Sequence, residues 1–389
     1  MKTYEEINDK IRKGSAVVLT ADEMTNLVSD VGTKKAAEMV DVVTTGTFGP
    51  MCSSGVIINF GQPSVPIKMK KVILNGVEAY GGLASADAYI GATALSSENP
   101  QYGGANVISD LVEGKSIWLQ GYGTLTDCKH GEYVETYVDK NTLNECIMFN
   151  PRNCYQNYNA ATNSGESTLN TYLGVLKPQM GSVAFSGAGQ LSPLVNDPNL
   201  RTIGIGTKIF LSGAEGVVVW NGTQFKTDAE VTDSGVPIGP GRTIAVVGDL
   251  KHMDSKYLKA INIKGYGVTL CVGIGIPIPI LDEEMAYYTS ISNEKIVTNI
   301  IDFNEKTSKR PVIRRVTYKE LCSGKVELNN KAVPAFTISN QKIAKSIADE
   351  LKNRVKNGLF LCVKPVGPLP VCSSVNSMHI SEEGKEIWS

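Results

Sequence analysis

Eight cysteines stand at positions 52, 128, 146, 154, 271, 322, 362 and 372, and no two of them have C-x-x-C spacing. The zinc-ribbon and ferredoxin signatures are therefore absent. Histidine is scarce, with His130, His252 and His379 the whole complement and no spaced ligand pair among them, so a metal centre is not expected. There is no excess of positive charge. Lys and Arg total 38 against 39 Asp and Glu, which leaves nothing to track a phosphate backbone and argues against a nucleic-acid partner. Long apolar runs are missing too: the longest, Gly267 to Leu281, is shorter than the roughly 20 residues that span a bilayer and is broken by Pro277 and Pro279. No membrane segment is expected. Met1 to Gly14 carries Glu5, Glu6, Asp9, Lys10, Arg12 and Lys13 with no apolar core, so it does not read as a secretory signal. The expectation is a cytoplasmic chain whose thiols are mostly free.

Glycine is abundant, at 38 residues, which predicts many turns and close backbone approaches. Gly204-x-Gly206 and Gly273-x-Gly275 do not complete G-x-G-x-x-G at the start of a helix, so a dinucleotide-binding unit is disfavoured. The simpler reading of each is tight packing, with close approach to a small ligand as the alternative for the first.

Thr20-Ala-Asp-Glu23 is a capping box, followed by Met24, Leu27, Val28 and Val31 at helical spacing and stopped by Gly32. Thr33 caps a second short helix through Val40. The first fifty residues thus read helix, strand, helix, helix, strand, loop. Asn75-Gly76 and Asn221-Gly222 lie between apolar runs and predict hairpins. The centre is rich in loops. From Arg242 the pattern alternates: strand Thr243 to Val247, helix from about Ser255, strand Gly267 to Ile276, helix Glu283 to Tyr288. Ile343, Ile347, Leu351 and Val355 predict a helix capped by Ser339 and ended before Gly358, then a buried strand from Leu359 to Val363. The tail after Pro370 reads as peripheral. Hairpins mixed with this alternation predict a mixed α and β fold (α+β or α/β) around a mixed sheet, with its topology open. Residues 1–389 read as one unit, with a candidate subdomain division at 239–241.

The clearest chemical signal is Thr47-Phe-Gly-Pro-Met-Cys-Ser-Ser-Gly55, which sets Cys52 in a loop of turn formers directly after a β-branched run. Such a junction gives a thiol access to solvent and to backbone N–H donors, which favour the nucleophilic thiolate. A buried inert cysteine is the bland alternative. Cys128, in Gly121-Tyr-Gly-Thr-Leu-Thr-Asp-Cys-Lys-His130, follows a strand and a glycine turn in the same way. Lys129 and His130 would favour its thiolate if they face it. Arg152, in Asn150-Pro-Arg-Asn153, and Arg201, before Thr202-Ile-Gly-Ile-Gly206, are candidates to hold a substrate carboxylate through a bidentate guanidinium, with surface solubility as the plainer account. Asp87 and Asp127 are candidates for an ammonium partner or a proton carrier, and N-capping is the simpler role for Asp87.

These motifs, with Tyr80-Gly-Gly-Leu, Asp87-Ala-Tyr-Ile-Gly-Ala-Thr93, Tyr102-Gly-Gly-Ala, Asn150-Pro-Arg-Asn153 through Tyr155-Gln-Asn-Tyr-Asn159, Gly174-Val-Leu-Lys-Pro178, Ala188-Gly-Gln-Leu-Ser-Pro193 and Arg201 to Thr207, resemble the homocysteine biosynthesis (HcyBio) family over roughly residues 15 to 370. The resemblance implies an L-aspartate semialdehyde sulfurtransferase that forms L-homocysteine from L-aspartate 4-semialdehyde and sulfide or a persulfide donor. It implies that two cysteines, matching Cys52 and Cys128 here, carry the sulfur chemistry as persulfide or disulfide. It also implies an external reductant, such as an iron–sulfur, ferredoxin-type protein partner, since no cofactor is expected on this chain. Cys52 is the expected persulfide carrier and Cys128 the thiol that closes the disulfide, though the reverse assignment reads equally well. The other six cysteines are expected to be structural. Two other classes compete. One is a non-catalytic persulfide carrier or redox module, and the other is an NAD-dependent aldehyde oxidoreductase, disfavoured by the missing fingerprint.

Overall fold

The computed structural model describes residues 1–371, 375–382 and 384–387, so Cys372 lies outside the described residues. Seven α-helices among these residues accompany several sheets, the mixed α and β class expected from the sequence. The largest sheet has nine strands. Its path runs Leu258–Ile263, Gly267–Gly275, Lys208–Leu211, Ala214–Asn221, Ile244–Asp249, Glu145–Asn153, Gly55–Asn59 and Asp87–Gly91, and Thr47–Pro50 joins off this path against Gly267–Gly275. Every pairing in it is antiparallel.

A second sheet of six strands is mixed. Its order is Val312–Thr317, Val297–Asp302, Ala160–Thr162, Val183–Phe185, Lys331–Thr337 and Lys325–Leu328, with parallel pairing at Ala160–Thr162 with Val297–Asp302 and at Val183–Phe185 with Lys331–Thr337. A four-stranded antiparallel sheet, Val77–Ala79, Met69–Leu74, Ile117–Gly123 and Tyr133–Val138, carries the Cys128 turn between its last two strands. The main core lies under the nine-stranded sheet, and smaller cores lie on the six-stranded one.

The local signals act much as their chemistry dictates at the N-terminus. Thr20 and Glu23 form the reciprocal capping box of the helix Ala21–Val31, and Gly32 ends it with φ 80°. Asn75 and Gly76 both adopt positive φ, the type I′ geometry that closes the hairpin of Met69–Leu74 with Val77–Ala79.

The helix Gln341–Lys356 buries Ala344, Ile347, Ala348, Leu351 and Val355 along one face. A Cβ on Gly273 or Gly275 would press on Ile347, and on Gly275 also on Leu351, so the second G-x-G pair serves helix-to-sheet packing. Gly204 does the same against Pro365 and Gly367 of its own chain.

Five local expectations are corrected, the first being that Thr33 caps no helix: Gly32 precedes the helix Thr33–Met39 without a side-chain cap, and the Thr33 hydroxyl donates to Glu283 at 3.0 Å. Asn221-Gly222 closes no tight hairpin, because Ala214–Asn221 pairs with Ile244–Asp249 and the Gly222 N–H donates to Thr243. In place of a helix from Ser255 there is a short 3-10 turn, Leu250–His252, and the strand Leu258–Ile263, whose full ladder to Gly267–Gly275 outweighs local propensity. Leu359 to Val363 is not a strand. Asn8 clamps Cys362 there, its Nδ2 donating to the carbonyl at 2.8 Å and its Oδ1 accepting from the N–H at 3.0 Å. The helix Gln341–Lys356 is capped by Asn340 instead of Ser339.

Candidate active site

The loop after Thr47–Pro50 is stapled so that Cys52 faces a cavity. The Met51 N–H donates to Leu270 at 2.8 Å, and the Met51 carbonyl accepts from both the Ser54 N–H at 3.0 Å and the Ser54 hydroxyl at 2.7 Å. Ser53 donates to Asn150 Oδ1 at 3.1 Å, while Asn150 Nδ2 donates to Ser54 at 2.7 Å. The two hydroxyls beside Cys52 thus fix the turn and leave the thiol itself free. Its sulfur accepts a hydrogen bond from Thr269 Oγ1 at 3.3 Å. That bond ties the sulfur to the strand Gly267–Gly275 and fixes where it points.

The cavity measures about 300 Å³ and brings Cys52 together with Arg152, Cys154, a set of tyrosines and Ser339. An irregularity in the ladder between Asn150 and Asn153 displaces the strand Glu145–Asn153 at Arg152. The Arg152 N–H turns inward to Asn150 Oδ1 at 3.2 Å, and its positive charge lies near the Tyr155 phenol. Cys154 then adopts φ 50°, a left-handed conformation uncommon for a residue with a Cβ. It is buried, and desolvation pushes its thiol up. Ser339 is drawn away from capping because its Oγ accepts the Gly187 N–H at 2.9 Å on the far wall.

The other sequence candidates lie elsewhere. Cys128 is exposed, and its sulfur lies 3.7 Å from Thr126 Oγ1 in the turn after Ile117–Gly123. That turn packs on Pro66 and Ile67, beyond the Asn59 end of Gly55–Asn59, whereas Cys52 precedes the Gly55 end. The strand between them is about 13 Å long at roughly 3.3 Å per residue. The structure therefore does not bring the two thiols together.

Arg201 is outside the cavity lining. Its guanidinium is held in a fork by Asp282, at 2.9 and 2.6 Å, and by Glu284 at 2.8 Å. Asp87 opens the strand Asp87–Gly91 and accepts from Asn59, so it caps no helix and does not line the cavity. Of the cysteines taken as structural, burial pushes the thiols of Cys146, Cys271 and Cys362 up to about 12. Among the described residues no three His, Cys, Asp or Glu side chains gather as a metal site, and no helix is long and apolar enough to cross a membrane.

Sequence reasoning missed Thr269 and the tyrosines. Thr269 carries no local motif, and only the register of its strand against Thr47–Pro50 puts it beside Cys52. The tyrosines left a faint signal in Tyr155-Gln-Asn-Tyr158 and in Gly265-Tyr-Gly267.

Comparison with known proteins decides the family. The model described as "Homocysteine biosynthesis enzyme, sulfur-incorporation" (HcyBio) matches residues 16–362. The chain belongs to this family. It is 47% identical over 378 residues to the L-aspartate semialdehyde sulfurtransferase of Methanosarcina acetivorans, covering 97% of this chain and 74% of the relative. It is 48% identical over 386 residues to the protein of the same name from Methanocaldococcus jannaschii, covering 95% and 73%. An uncharacterized protein of Methanothermobacter thermautotrophicus is 30% identical over 331 residues, covering 82% and 72%. No solved structure matches. This HcyBio chain is an enzyme of the sulfurtransferase class, in homocysteine biosynthesis.

Proposed function

We propose that the chain forms L-homocysteine from L-aspartate 4-semialdehyde and reduced sulfur, with the carbon chemistry in the Cys52 cavity. One observation carries this reading: the hydroxyl-supported thiol of Cys52 and the guanidinium-bearing Arg152 line one cavity of about 300 Å³. That is room for about ten water molecules and ample for a four-carbon aldehyde. Arg152 holds the α-carboxylate, the pairing for which a planar fork of N–H donors is suited. The names of the two relatives near half identity support the substrate.

The electron balance requires more than one thiol. Converting an aldehyde to a primary thiol expels its oxygen as water, takes sulfur from hydrogen sulfide, and adds two electrons and two protons. Two cysteine thiols becoming one disulfide release that number. Sulfur arriving as the outer atom of a persulfide is more oxidised and needs two further electrons, so an external reductant, of iron–sulfur type, resets the pair in either case.

Cys52 works at the carbon, and exposed Cys128 exchanges sulfur and electrons with protein-sized donors that cannot enter the cavity. A disulfide needs Cα atoms within about 7 Å, so closure requires the Cys128 turn to approach the cavity.

The test is anaerobic homocysteine formation from aspartate semialdehyde and sulfide with a strong reductant, comparing the native chain with Cys52→Ala and Cys128→Ala. Loss of turnover in both folded variants is expected. Unchanged turnover in both would sink the paired-thiol enzyme, whereas no turnover and no saturable aldehyde binding by the native chain would favour a persulfide carrier.

A further inference from the structure

An α-amino acid aldehyde brings a carboxylate and an ammonium group on one carbon, yet the cavity offers a partner of opposite charge to only the first. Its lining holds one charged side chain, Arg152, and no Asp or Glu among the described residues. Five tyrosines line it instead, of which Tyr318 is committed to the Ser186 carbonyl at 2.8 Å and the other four, Tyr155, Tyr158, Tyr172 and Tyr266, neighbour one another.

Their rings form a chain of tilted neighbours: Tyr155 and Tyr158 at 4.9 Å and 59°, Tyr158 and Tyr172 at 6.4 Å and 75°, Tyr172 and Tyr266 at 6.0 Å and 60°. The pairs meet tilted or edge to face instead of stacked, and Tyr172 also packs on Phe303 at 5.6 Å, which leaves Tyr266 at the open end of the row. The hydroxyls of three are engaged, since Tyr155 donates to Gln224 at 2.6 Å and Tyr158 donates to Tyr172 at 3.2 Å. Among the described residues no protein cation covers any of the four faces. Burial raises the phenols of Tyr155, Tyr158 and Tyr266, so these rings stay neutral, and the charge of Arg152 lies near enough to all three to oppose that rise. Tyr266 is about half exposed, between Gly265 and Gly267 at φ 71° and 120°, which puts one ring at the cavity mouth.

We infer that these four rings form an aromatic cage for the α-ammonium group of the substrate beside the carboxylate on Arg152, making the site select aldehydes that carry a cationic amine. Attraction of an ammonium to a ring quadrupole within about 6 Å discriminates by about 3-fold when exposed and about 30-fold when desolvated. The inference rests on the substrate reading above and deepens it.

The test compares kcat/KM for aspartate semialdehyde and for succinate semialdehyde, which lacks the amine, in the full chain and in Tyr172→Phe, Tyr172→Leu, Tyr266→Phe and Tyr266→Leu. The native chain and both Phe variants should prefer the amino substrate by about 10-fold or more. Each Leu variant should lose most of that preference, through the amino substrate alone. Tyr266, on an exposed turn, keeps the test valid if Tyr172→Leu fails to fold. Equal use of both aldehydes by the native chain would overturn the cage and leave the substrate class standing. Equal losses on both aldehydes in the Leu variants, or no loss, would also overturn it. Turnover of neither aldehyde by the native chain would sink both readings.

Discussion

Thiol-reactive reagents of two sizes should sort the described cysteines by what surrounds them. Burial pushes Cys146, Cys271 and Cys362 up to about 12, and at pH 8 a thiol with that value is thiolate in about one molecule in 10⁴. An ordinary thiol near 8.5 is about a quarter thiolate at the same pH, a ratio of roughly 10³ before any steric exclusion is counted. Cys128, exposed on its turn, should label quickly with iodoacetamide and with a polyethylene-glycol maleimide alike. Cys322 should fall between, because the residue is exposed while burial of its sulfur pushes the thiol up. Cys52 should label with the small reagent and resist the large one, since it faces a cavity of about 300 Å³. Peptide mass spectrometry of the native chain, quenched over a time course, reads all of these at once. Aspartate semialdehyde added first should protect Cys52 and leave Cys128 unchanged. The reasoning is refuted if Cys146, Cys271 or Cys362 labels within tenfold of Cys128, or if the aldehyde shields Cys128 and not Cys52.

Two more expectations follow from charged groups. Arg201→Ala should leave KM within about twofold of native and lower the urea midpoint by the equivalent of about 1 kcal/mol, because its partners Asp282 and Glu284 are partly exposed. A tenfold rise in KM would instead return Arg201 to the substrate. Asp41 is 1% exposed and bonded to Lys10 at 2.7 Å, Lys2 at 3.1 Å and the Val17 N–H at 3.0 Å. Burial alone would raise its carboxyl, but these partners outweigh burial and hold it below the usual range. Its contribution is therefore present above the unfolded value near 3.9 and lost as pH falls through the lower folded one. Asp41→Asn should cost about 3 kcal/mol at neutral pH, the low end for breaking a buried pair because Lys10 is half exposed. It should also flatten the acid limb of the urea-midpoint profile, and an unchanged limb would exclude Asp41 as its source.

What could be read from the sequence was whatever depends on neighbours in sequence. The Cys52 loop is half such a case: Ser54 closes the turn locally on the Met51 carbonyl, while Asn150 and Leu270, on distant strands, complete the staple. The capping box at Thr20 and the Asn75-Gly76 turn are others. Arg201 was misleading because its partners at 282 and 284 lie some eighty residues on. Ser339 carried a capping signal, but a backbone N–H from Gly187 competed for its hydroxyl and the next residue took the cap. The tyrosine wall was illegible for the same reason, since Tyr155, Tyr172 and Tyr266 come from three separate loops whose meeting depends on sheet register.

The separation of the two thiols has a chemical logic. A sulfur adduct of an aldehyde reverts or hydrolyses readily in water, so the thiol that acts at carbon benefits from enclosure, and Cys52 has walls of Tyr, Pro and Ile around it. Thiol–disulfide exchange with another protein demands the opposite, because a mixed disulfide must form in line with an accessible sulfur. Cys128, exposed in a turn closed by the Thr126 N–H to the Lys129 carbonyl at 3.0 Å and the Lys129 N–H to Thr126 Oγ1 at 3.0 Å, meets that demand. On the proposed function no single environment serves both steps, and a disulfide between Cys52 and Cys128 would form only with the exposed turn brought to the cavity.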